Sequence, residues 1–541
     1  MKNTKILPWF LLLFLLILFW HLGNWGVTET SEARYAEISR EILTSGNWFM
    51  PKLLGIFHFD KPLMTYWITA IGMKIFGINP FGARFFLSIA YLIQLLLVYK
   101  IARQLFNNTS IASYTAILYA GTLLVLMATL NLTTDAFLNT FELLAVYALI
   151  HYYRSRKPGS LYLFFLVLGL AIQTKGPVGI LLPALMIYPV RKILQVEGRK
   201  NNWHVFLGII LMLAIGGSWF FYLMIKSHKF YHFFIGQQLF DRMFKASELK
   251  RSKPFWYYLV LFPAVLLPYF ILIPEAISKA LKQRHRDIIL ILLFGVAIPF
   301  IFFSISSSKL ILYVLPLVPY AVLTEAWFIE KSEWNHIKKY YYYIIGGFYL
   351  LLLLGLLMAL LGYISDFSVS FSILNWILLL AGLGILVFSF IKKKKAYLVL
   401  MALLMPLCVV PISKNIMADN EIIINSTAPI ADFIQKNNLA NRKIIVWNTL
   451  LPSLSFELQE NIYSVYYTSF YLKRNTVFQE NENWKKWLIN VNMADQEKYL
   501  QQLVVSPSVF IVKKGHLPQK YQNLIQDYPH KKDFGRWVVY Y

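Results

Sequence analysis

The feature that most constrains this chain is a series of hydrophobic runs, each about 20 residues long, that recur through its first three quarters. About 20 apolar residues in a helix cross the roughly 30 Å hydrocarbon layer of a bilayer, where backbone polar groups must pair internally. Charged residues make up 15% of the 541 residues, against about a quarter in soluble domains. The sequence therefore predicts a polytopic, mainly α-helical membrane protein.

The first run, residues 6–22, is followed by no small-residue cleavage pattern, so we interpret it as a retained anchor and not as a signal peptide. The later runs bring the expected number of spans to about thirteen, and residues 159–189 are divided into two short helices about Lys175. The later spans are predicted to begin near Gly82, Ser110, Asp135, Gly159, Pro177, Val205, Trp256, Ile288, Leu310, Tyr340, Phe371 and Tyr397.

The distribution of lysine and arginine supports this topology. With the N-terminus inside, the predicted cytoplasmic connections are rich in both residues, whereas the short outer loops hold only Lys175 and Lys309. The net charge of +25 then follows from membrane orientation and contact with anionic lipids. Nucleic acid is therefore not needed as a partner.

An odd number of spans places the polar C-terminal region outside. We predict a transmembrane domain over residues 1–412 and a small α/β domain over residues 413–541 on the outer surface. Its strand-like runs are residues 443–447, 508–512 and 537–541, and residues 428–435 are amphipathic. The one cysteine, Cys408, excludes an intramolecular disulfide and a cysteine-cluster metal site.

The first outer loop, residues 23–81, is far longer than a connection requires. The spacing of its charged and apolar residues predicts an amphipathic helix at the membrane surface that Ser31 caps, and a second helix over residues 62–72. We interpret Glu37, Arg40 and Glu41 as charges that solvate the first helix.

Other charges of the same loop favour a functional interpretation. Glu29, Glu32, Arg34 and Lys61 flank structural breaks and combine both signs beside the membrane. Such a group can hold an anionic head group and keep a carboxylate near its reacting carbon.

Two lysines stand where membrane orientation does not require a cation. Lys175 and Lys309, the latter with Tyr313 one turn further on, suit a phosphate partner, although simple snorkelling to the interface stays open. Asp135, at the mouth of a predicted span, is either an ordinary helix cap or a site residue.

A second outer loop, residues 226–254, contributes Arg242 as a candidate. His228 and His232 have the spacing of a metal-binding pair, but no third ligand is evident. We interpret them as interfacial residues.

At these positions the chain resembles the bacterial aminoarabinose transferase-like (ArnT-like) and protein mannosyltransferase-related membrane glycosyltransferases. Their signature Asp-Glu-x-Arg-Tyr-Ala-Glu-Ile-x-Arg-Glu-Met-Leu-x-Ser-Gly-x-Trp is closely matched from Ser31 to Trp48. The match continues at Leu53-Leu54-Gly55, Phe59-Asp60-Lys61-Pro62, Tyr66-Trp67, Phe76-Gly77, Asp135, Thr174-Lys175-Gly176, Arg242, Pro254-Phe255-Trp256-Tyr257-Tyr258 and Ser308-Lys309-Leu310.

The resemblance implies a GT-C fold with an outer C-terminal domain, although no residue-level match is seen in that domain. It implies an enzyme that moves a sugar from a polyprenyl phosphate, undecaprenyl phosphate in bacteria, to an envelope acceptor. The candidate catalytic residues are then Glu29, Glu32 and Asp135. The candidate substrate-binding residues are Arg34, Tyr35, Lys61, Lys175, Arg242, Lys309 and Tyr313.

One position departs from the family signature, because its leading aspartate is Ser31 here. We favour the interpretation that Glu29 or Glu32 has taken over the role of this aspartate. The alternative is that the acceptor is a phosphate such as lipid A and needs no base.

Three function classes follow. We favour a glycosyltransferase acting on the periplasmic face of the inner membrane, with a lipid A-like, other lipid or protein acceptor. A transporter or flippase of lipid-linked sugars is the alternative, and an inactive receptor on the same scaffold is a third. The sugar, the acceptor and the use of a divalent metal stay open.

Overall fold

A computed structural model describes residues 16–196, 202–227, 229–230, 253–306, 308–333, 340–364, 367–370, 372–392, 394–469, 476–479 and 481–541. The described residues form two compact units. Unit 1 takes them from residues 1–21, 87–222 and 233–416, and unit 2 takes them from residues 22–86, 223–232 and 417–541.

The α-helices of the described chain are numbered in chain order. They are α1 (Ser31–Ser45), α2 (Met64–Phe76), α3 (Pro80–Phe106), α4 (Thr109–Ala120), α5 (Leu123–Leu130), α6 (Thr134–Ser155), α7 (Pro158–Lys175), α8 (Leu181–Leu185), α9 (Ile187–Ile193), α10 (Asn202–Lys226), α11 (Tyr257–Val265), α12 (Ile273–Lys282), α13 (Arg286–Ile291), α14 (Ile298–Ile305), α15 (Val318–Lys331), α16 (Tyr340–Leu360), α17 (Ile373–Lys392), α18 (Lys395–Leu400), α19 (Val410–Asp419), α20 (Ala428–Lys436), α21 (Pro452–Leu458) and α22 (Ala494–Val505).

Shorter helical turns complete these elements. The 3₁₀ turns are Pro177–Ile180, Tyr269–Leu272, Ile311–Leu317, Met401–Leu403, Thr476–Phe478, Asn483–Lys486 and Gln519–Ile525, and the π-helical turns are Leu292–Ala297 and Met405–Val409.

Eight helical segments of the described chain are long and apolar enough to cross a membrane, and two bent helix pairs raise the number to ten. The bent pairs are α4 with α5, at 55°, and the segment Tyr257–Val265 with Tyr269–Lys282, at 104°. The predicted number of about thirteen stays a prediction, since most of the proposed first span lies outside the described residues. The chain is a multi-pass membrane protein.

The predicted break about Lys175 is confirmed. Helix α7 ends at Lys175, Gly176 has a φ of 82°, and Pro177 begins a 3₁₀ turn. Glycine adopts this positive φ without strain, and proline has no N–H with which to continue the α-helical ladder. The chain therefore changes direction immediately after the lysine.

Unit 2 contains all the strands of the described residues. A hairpin pairs β1 (Lys52–Leu53) with β2 (Ile56–Phe57). A six-stranded sheet comprises β3 (Lys443–Trp447), β4 (Tyr463–Tyr466), β5 (Leu488–Asn490), β6 (Ser508–Lys513), β7 (Lys531–Asp533) and β8 (Trp537–Tyr540).

The large sheet confirms the predicted α/β character of the C-terminal region. Its strand order is β5-β4-β3-β6-β8-β7. The first four strands pair in parallel, and β8 pairs antiparallel with both of its neighbours, β6 and β7. The buried run of β3 suits a parallel strand covered on both faces, and its Ile445 and Trp447 join the sheet's hydrophobic core.

The first loop and the C-terminal region belong to the same compact unit. The hairpin turn at Leu54 and Gly55 has positive φ angles of 54° and 76°, and a Cβ on Gly55 would lie 2.6 Å from Trp487 Cδ1. Glycine is therefore required here both for conformation and for close approach. The proposed domain boundary at residue 412 falls inside α19 and stays a prediction.

The interpretation of three charges on α1 was wrong. Glu37, Arg40 and Glu41 are 0%, 3% and 7% exposed, so they do not solvate the helix. Arg40 forms two 2.7 Å hydrogen bonds to Glu37, and Glu37 accepts a third from Ser455 Oγ at 2.7 Å. The helical spacing was read correctly, but C-terminal polar groups cover the face that was assigned to water.

Candidate functional site

Asp135 lies in the first turn of α6, but it does not cap the helix through its side chain. Thr133 is the N-cap, and its hydroxyl accepts a hydrogen bond from the Asp135 N–H at 3.4 Å. The threonine thus takes the ordinary capping task. The Asp135 carboxylate is left for a different partner.

That partner is Lys175. The carboxylate and the ammonium form an ion pair in which each side chain is 11% exposed. Only Arg156 and Lys157 connect α6 to α7, so the two helices run antiparallel and the start of one lies beside the end of the other. An acid at a helix start and a base at a helix end also suit the two helix dipoles.

Tyr313 completes this group. Lys175 Nζ lies 4.4 Å from the centroid of the Tyr313 ring, within the range of a cation–π contact. Three residues predicted separately from the sequence are thus brought together, and we call Asp135, Lys175 and Tyr313 the Asp–Lys–Tyr cluster.

Lys309, also in unit 1, is 4% exposed. Its ammonium donates hydrogen bonds to the Ser306 carbonyl at 2.6 Å and to the Lys253 carbonyl at 3.1 Å. Removal from water lowers the pKa of Lys309. Both acceptors are neutral carbonyls, so neither hydrogen bond neutralises the positive charge of Lys309. A phosphate could accept a charge-assisted hydrogen bond from this ammonium.

The sequence analysis did not assign a role to Tyr258. Its hydroxyl donates a hydrogen bond to the carbonyl of Leu310, the residue after Lys309, at 2.8 Å. The signal was present in the Pro254 to Tyr258 stretch of the family resemblance.

In unit 2, Glu32 is held by Arg84. Arg84 donates to both carboxylate oxygens, at 2.8 and 3.0 Å, and Thr28 donates through its N–H and its hydroxyl at 2.9 and 2.8 Å. Burial opposes ionisation, but the arginine charge and these hydrogen bonds outweigh it and hold the pKa of Glu32 below its ordinary value. The two oxygens of Glu32 are thus both engaged within the fold.

Arg84 is the second residue that sequence reasoning missed. It is 0% exposed, and its remaining N–H groups donate to backbone carbonyls of the segment before α1. The acceptors are the carbonyl oxygens of Leu22, Trp25 and Gly26, at 2.8 to 3.1 Å. An arginine within the first turns of a predicted span was the available signal, because an isolated charge there is costly.

Glu29 is in a different environment. It is half-buried, and its Oε1 accepts a hydrogen bond from the Ser453 backbone N–H at 2.8 Å. Burial raises the pKa of Glu29 to about 7, although the Ser453 hydrogen bond and the charges of Arg34 and Lys513 oppose this rise. A carboxyl that titrates near neutrality can accept a proton from an attacking hydroxyl.

The other first-loop candidates lie on α1 and at the start of α2. Arg34 Cζ is 5.7 Å from the centroid of the Tyr35 ring, which lies 5.4 Å from the ring of the fully buried Tyr66. Lys61, which follows Asp60, is half-buried.

Three further expectations have definite outcomes. Ser31 does not cap α1, since it is the first helical residue and Thr30 is the N-cap, without a side-chain cap bond. Arg242, His228 and His232 lie outside the described residues. Within the described ranges there is no group of three His, Cys, Asp or Glu side chains that could hold a metal ion.

These observations define a class: a multi-pass helical membrane protein with an α/β region and buried acid–base groups at helix ends. Residues 60–228 match the dolichyl-phosphate-mannose-protein mannosyltransferase family.

Two curated relatives are named undecaprenyl phosphate-alpha-4-amino-4-deoxy-L-arabinose arabinosyl transferases. The Proteus mirabilis protein is 30% identical over 58% of this chain and 57% of its own length, and that of Pseudomonas fluorescens Pf-5 is 31% identical over 60% and 59%. The match with this chain thus spans less than two thirds of either relative.

The crystal structure of ArnT from Cupriavidus metallidurans bound to undecaprenyl phosphate has a similar fold. The TM-score is 0.79 at 20% identity, and the match covers 100% of this chain and 98% of that one. The resemblance drawn from the sequence is therefore confirmed, and the chain has an ArnT-like GT-C fold. The same resemblance and the apolar helices make it a multi-pass inner membrane protein.

Proposed function

We propose that the protein is a glycosyltransferase. It moves a sugar from a polyprenyl phosphate donor, undecaprenyl phosphate in a bacterium, to a lipid A-like or other envelope acceptor at the periplasmic face of the inner membrane. The observation that carries the proposal is the Asp–Lys–Tyr cluster, in which residues selected from the sequence meet where α6 begins and α7 ends. The names of the relatives and the lipid in the ArnT structure support the choice of donor.

The cations have a clear task in this reaction. As the acceptor oxygen bonds to the anomeric carbon, the bond from that carbon to the donor phosphate oxygen breaks, and polyprenyl phosphate leaves with the electron pair. Ammonium groups held in place stabilise the charge that develops on that oxygen. We assign this task to four cations selected from the sequence, the ammonium groups of Lys61, Lys175 and Lys309 and the guanidinium group of Arg34.

The carboxylate that accepts the proton of a hydroxyl acceptor is, in our proposal, Glu29. Glu32 has both oxygens engaged by Arg84 and Thr28, whereas Glu29 is half-buried and has a pKa of about 7. This choice is one of the alternatives that Ser31 left open in the sequence. Asp135 acts through the position of Lys175.

The test measures release of labelled sugar from an undecaprenyl phosphate donor by the full-length protein in membranes or detergent. Lys61→Ala is expected to lose at least about 100-fold in transfer while it remains folded. Lys52→Ala is the matched control, because it removes a lysine of the same loop that lies over the Phe57 ring. Undiminished transfer in Lys61→Ala would remove Lys61 from the donor site.

The same assay separates the enzyme from the alternative. A transporter or flippase moves the lipid-linked sugar without consuming it, so the wild-type protein would leave the donor intact. Mass spectrometry of envelope lipids with and without the protein then identifies the sugar and the acceptor.

A further inference from the structure

Four polar side chains are buried between three helices of unit 1, close in the chain to Asp135. They are at most 8% exposed, and they are Gln94 in α3, Tyr119 in α4, and Asn139 and Thr140 in α6. We call these four residues the anchor network. Burying polar groups is costly unless they are hydrogen-bonded, and it is most costly in the apolar interior of a membrane protein.

The members of the anchor network bind one another directly. The Tyr119 hydroxyl donates a hydrogen bond to Gln94 Oε1 at 2.7 Å and accepts one from Asn139 Nδ2 at 2.7 Å. Gln94 Nε2 donates to Thr140 Oγ1 and to the Ala136 carbonyl, both at 2.8 Å. Hydrogen bonds that are linked in this way in a low-dielectric interior strengthen one another and make the packing rigid.

The anchor network holds the first two turns of α6 from the side of α3 and α4. Ala136 follows Asp135 in the chain, and Asn139 lies one helical turn beyond Asp135. The Thr140 hydroxyl adds a further hydrogen bond to the Ala136 carbonyl at 2.9 Å. The backbone that carries the Asp135 carboxylate is therefore bound on two successive turns, which opposes any rotation of α6 that would move the carboxylate.

Tyr119 also connects this point to the bend in the preceding helix pair. It is the penultimate residue of α4, and the 55° bend lies between α4 and the eight-residue α5. After α5 the chain reaches α6 through residues 131–133. A short helix between a bend and a turn can change direction by rotation about these two points. The hydrogen bond from Asn139 to Tyr119 joins the segment before α5 to the segment after it.

Asp135 in turn determines where the Lys175 ammonium lies. The two side chains form an ion pair, and Lys175 Nζ is 4.4 Å from the centroid of the Tyr313 ring. The ammonium is thus placed by a carboxylate whose own backbone is held by the anchor network. Charge-assisted hydrogen bonds to phosphate depend on distance and angle, so a small displacement of the ammonium weakens them.

We propose that Gln94 and Tyr119 are positioning residues for the donor phosphate, and that they act through the first turns of α6, Asp135 and Lys175. The inference rests on the proposed function for one point, the binding of the donor phosphate by Lys175. Both side chains are buried between helices, so they act through the placement of α6 and not by contact with the donor.

The experiment measures the affinity of the full-length protein in detergent for undecaprenyl phosphate, together with its Tm. Tyr119→Phe removes the hydroxyl that joins Gln94 to Asn139, and it is expected to weaken binding about tenfold. Tyr91→Phe is the matched control, because this tyrosine is equally buried and its hydroxyl donates to the Ala120 carbonyl at 2.7 Å, outside the anchor network. The control should keep the wild-type affinity to within about twofold.

A double-mutant cycle shows whether the effect passes through the lysine. Lys175→Met is expected to weaken binding by itself, and in its presence Tyr119→Phe should change the affinity by less than about twofold. Thr140→Val is a second variant, which removes one acceptor of Gln94 and keeps the shape of the side chain. It is expected to weaken binding about threefold, and it carries the test if Tyr119→Phe does not fold.

Wild-type affinity in a folded Tyr119→Phe or, where that variant does not fold, in Thr140→Val would overturn the proposal, because the anchor network would then serve the stability of the fold alone. A loss that persists undiminished in the presence of Lys175→Met would overturn it as well. Coupling in the cycle, together with a wild-type protein that never consumes an undecaprenyl phosphate-linked sugar, would instead reject the proposed function and leave the positioning of Lys175 established. The two failures are thus distinguishable.

Discussion

Two glutamates three residues apart have opposite electrostatic environments. Glu32 is 2% exposed and bound by Arg84, so it stays ionised within the fold, whereas burial without a full ion pair brings the pKa of Glu29 to about 7. The chain positions of the two residues do not reveal this difference. It depends on Arg84, about fifty residues downstream, and on Ser453, in the C-terminal region.

Substitution of the two glutamates should therefore have different effects. Glu29→Gln is expected to remain folded and to lose about 100-fold or more in transfer to a hydroxyl acceptor, because the proton acceptor is gone. Glu32→Gln should lower the free energy of unfolding by about 3 kcal/mol, because it leaves the buried Arg84 charge uncompensated. Tm and transfer are measured on both variants. A fully active Glu29→Gln would favour a phosphate acceptor, which needs no base.

At the scale of elements, α1 shows how a correct pattern can lead to a wrong environment. Its helical period was visible in the sequence, and the helix spans Ser31–Ser45. The charged face was assigned to solvent because charges usually lie there. The structure instead buries it against Ser455, Gln459 and Asn461, whose oxygens serve the Glu37–Arg40 pair.

This pairing makes Arg40 a structural residue. Arg40→Met should lower the free energy of unfolding by about 3 kcal/mol, because Glu37 would be left buried without its partner. Arg34→Met, on the same helix but half-buried, should change stability by less than about 1 kcal/mol and reduce transfer. Denaturation in detergent checks both variants. Similar stability losses in the two would contradict the assignment of Arg40 to the fold.

At the scale of the whole molecule, several buried carboxyls of unit 2 titrate near neutrality. Burial raises the pKa of Glu457 to about 7, and burial together with the charge of Glu37 raises that of Glu41 to about 8. A carboxyl with a raised pKa keeps its proton in the folded state. Its contribution to the free energy of unfolding is therefore complete below its ordinary pKa of 4.5, and that contribution is lost as the pH rises through the pKa of the folded state. Stability should therefore fall between about pH 5 and pH 8.

Glu457→Gln should flatten this dependence by an amount on the order of 2 kcal/mol, since an amide does not ionise. The Tm is measured at pH 5 and pH 8. Glu482→Gln is the control, because that side chain is 81% exposed and pairs with Lys485, and it should leave the dependence unchanged. A stability that rises with pH over this range would contradict the prediction. It would show that the hydrogen bonds accepted by these carboxylates outweigh the cost of burying their charge.

The sequence by itself determined the class of fold. The apolar runs predicted most of the spans because lipid admits few ways to pair a backbone, and the buried strand runs predicted the α/β region. It also selected Lys175 as a cation that membrane orientation does not require, Asp135 at the mouth of a predicted span, and Tyr313 one turn beyond Lys309.

Only the tertiary structure decided which of these groups are partners. The ion pair of Asp135 with Lys175 depends on two antiparallel helices, and the different fates of Glu29 and Glu32 depend on groups far away in the chain. A residue's charge is local information, but its desolvation and its hydrogen-bond partners arise from segments that meet only after folding.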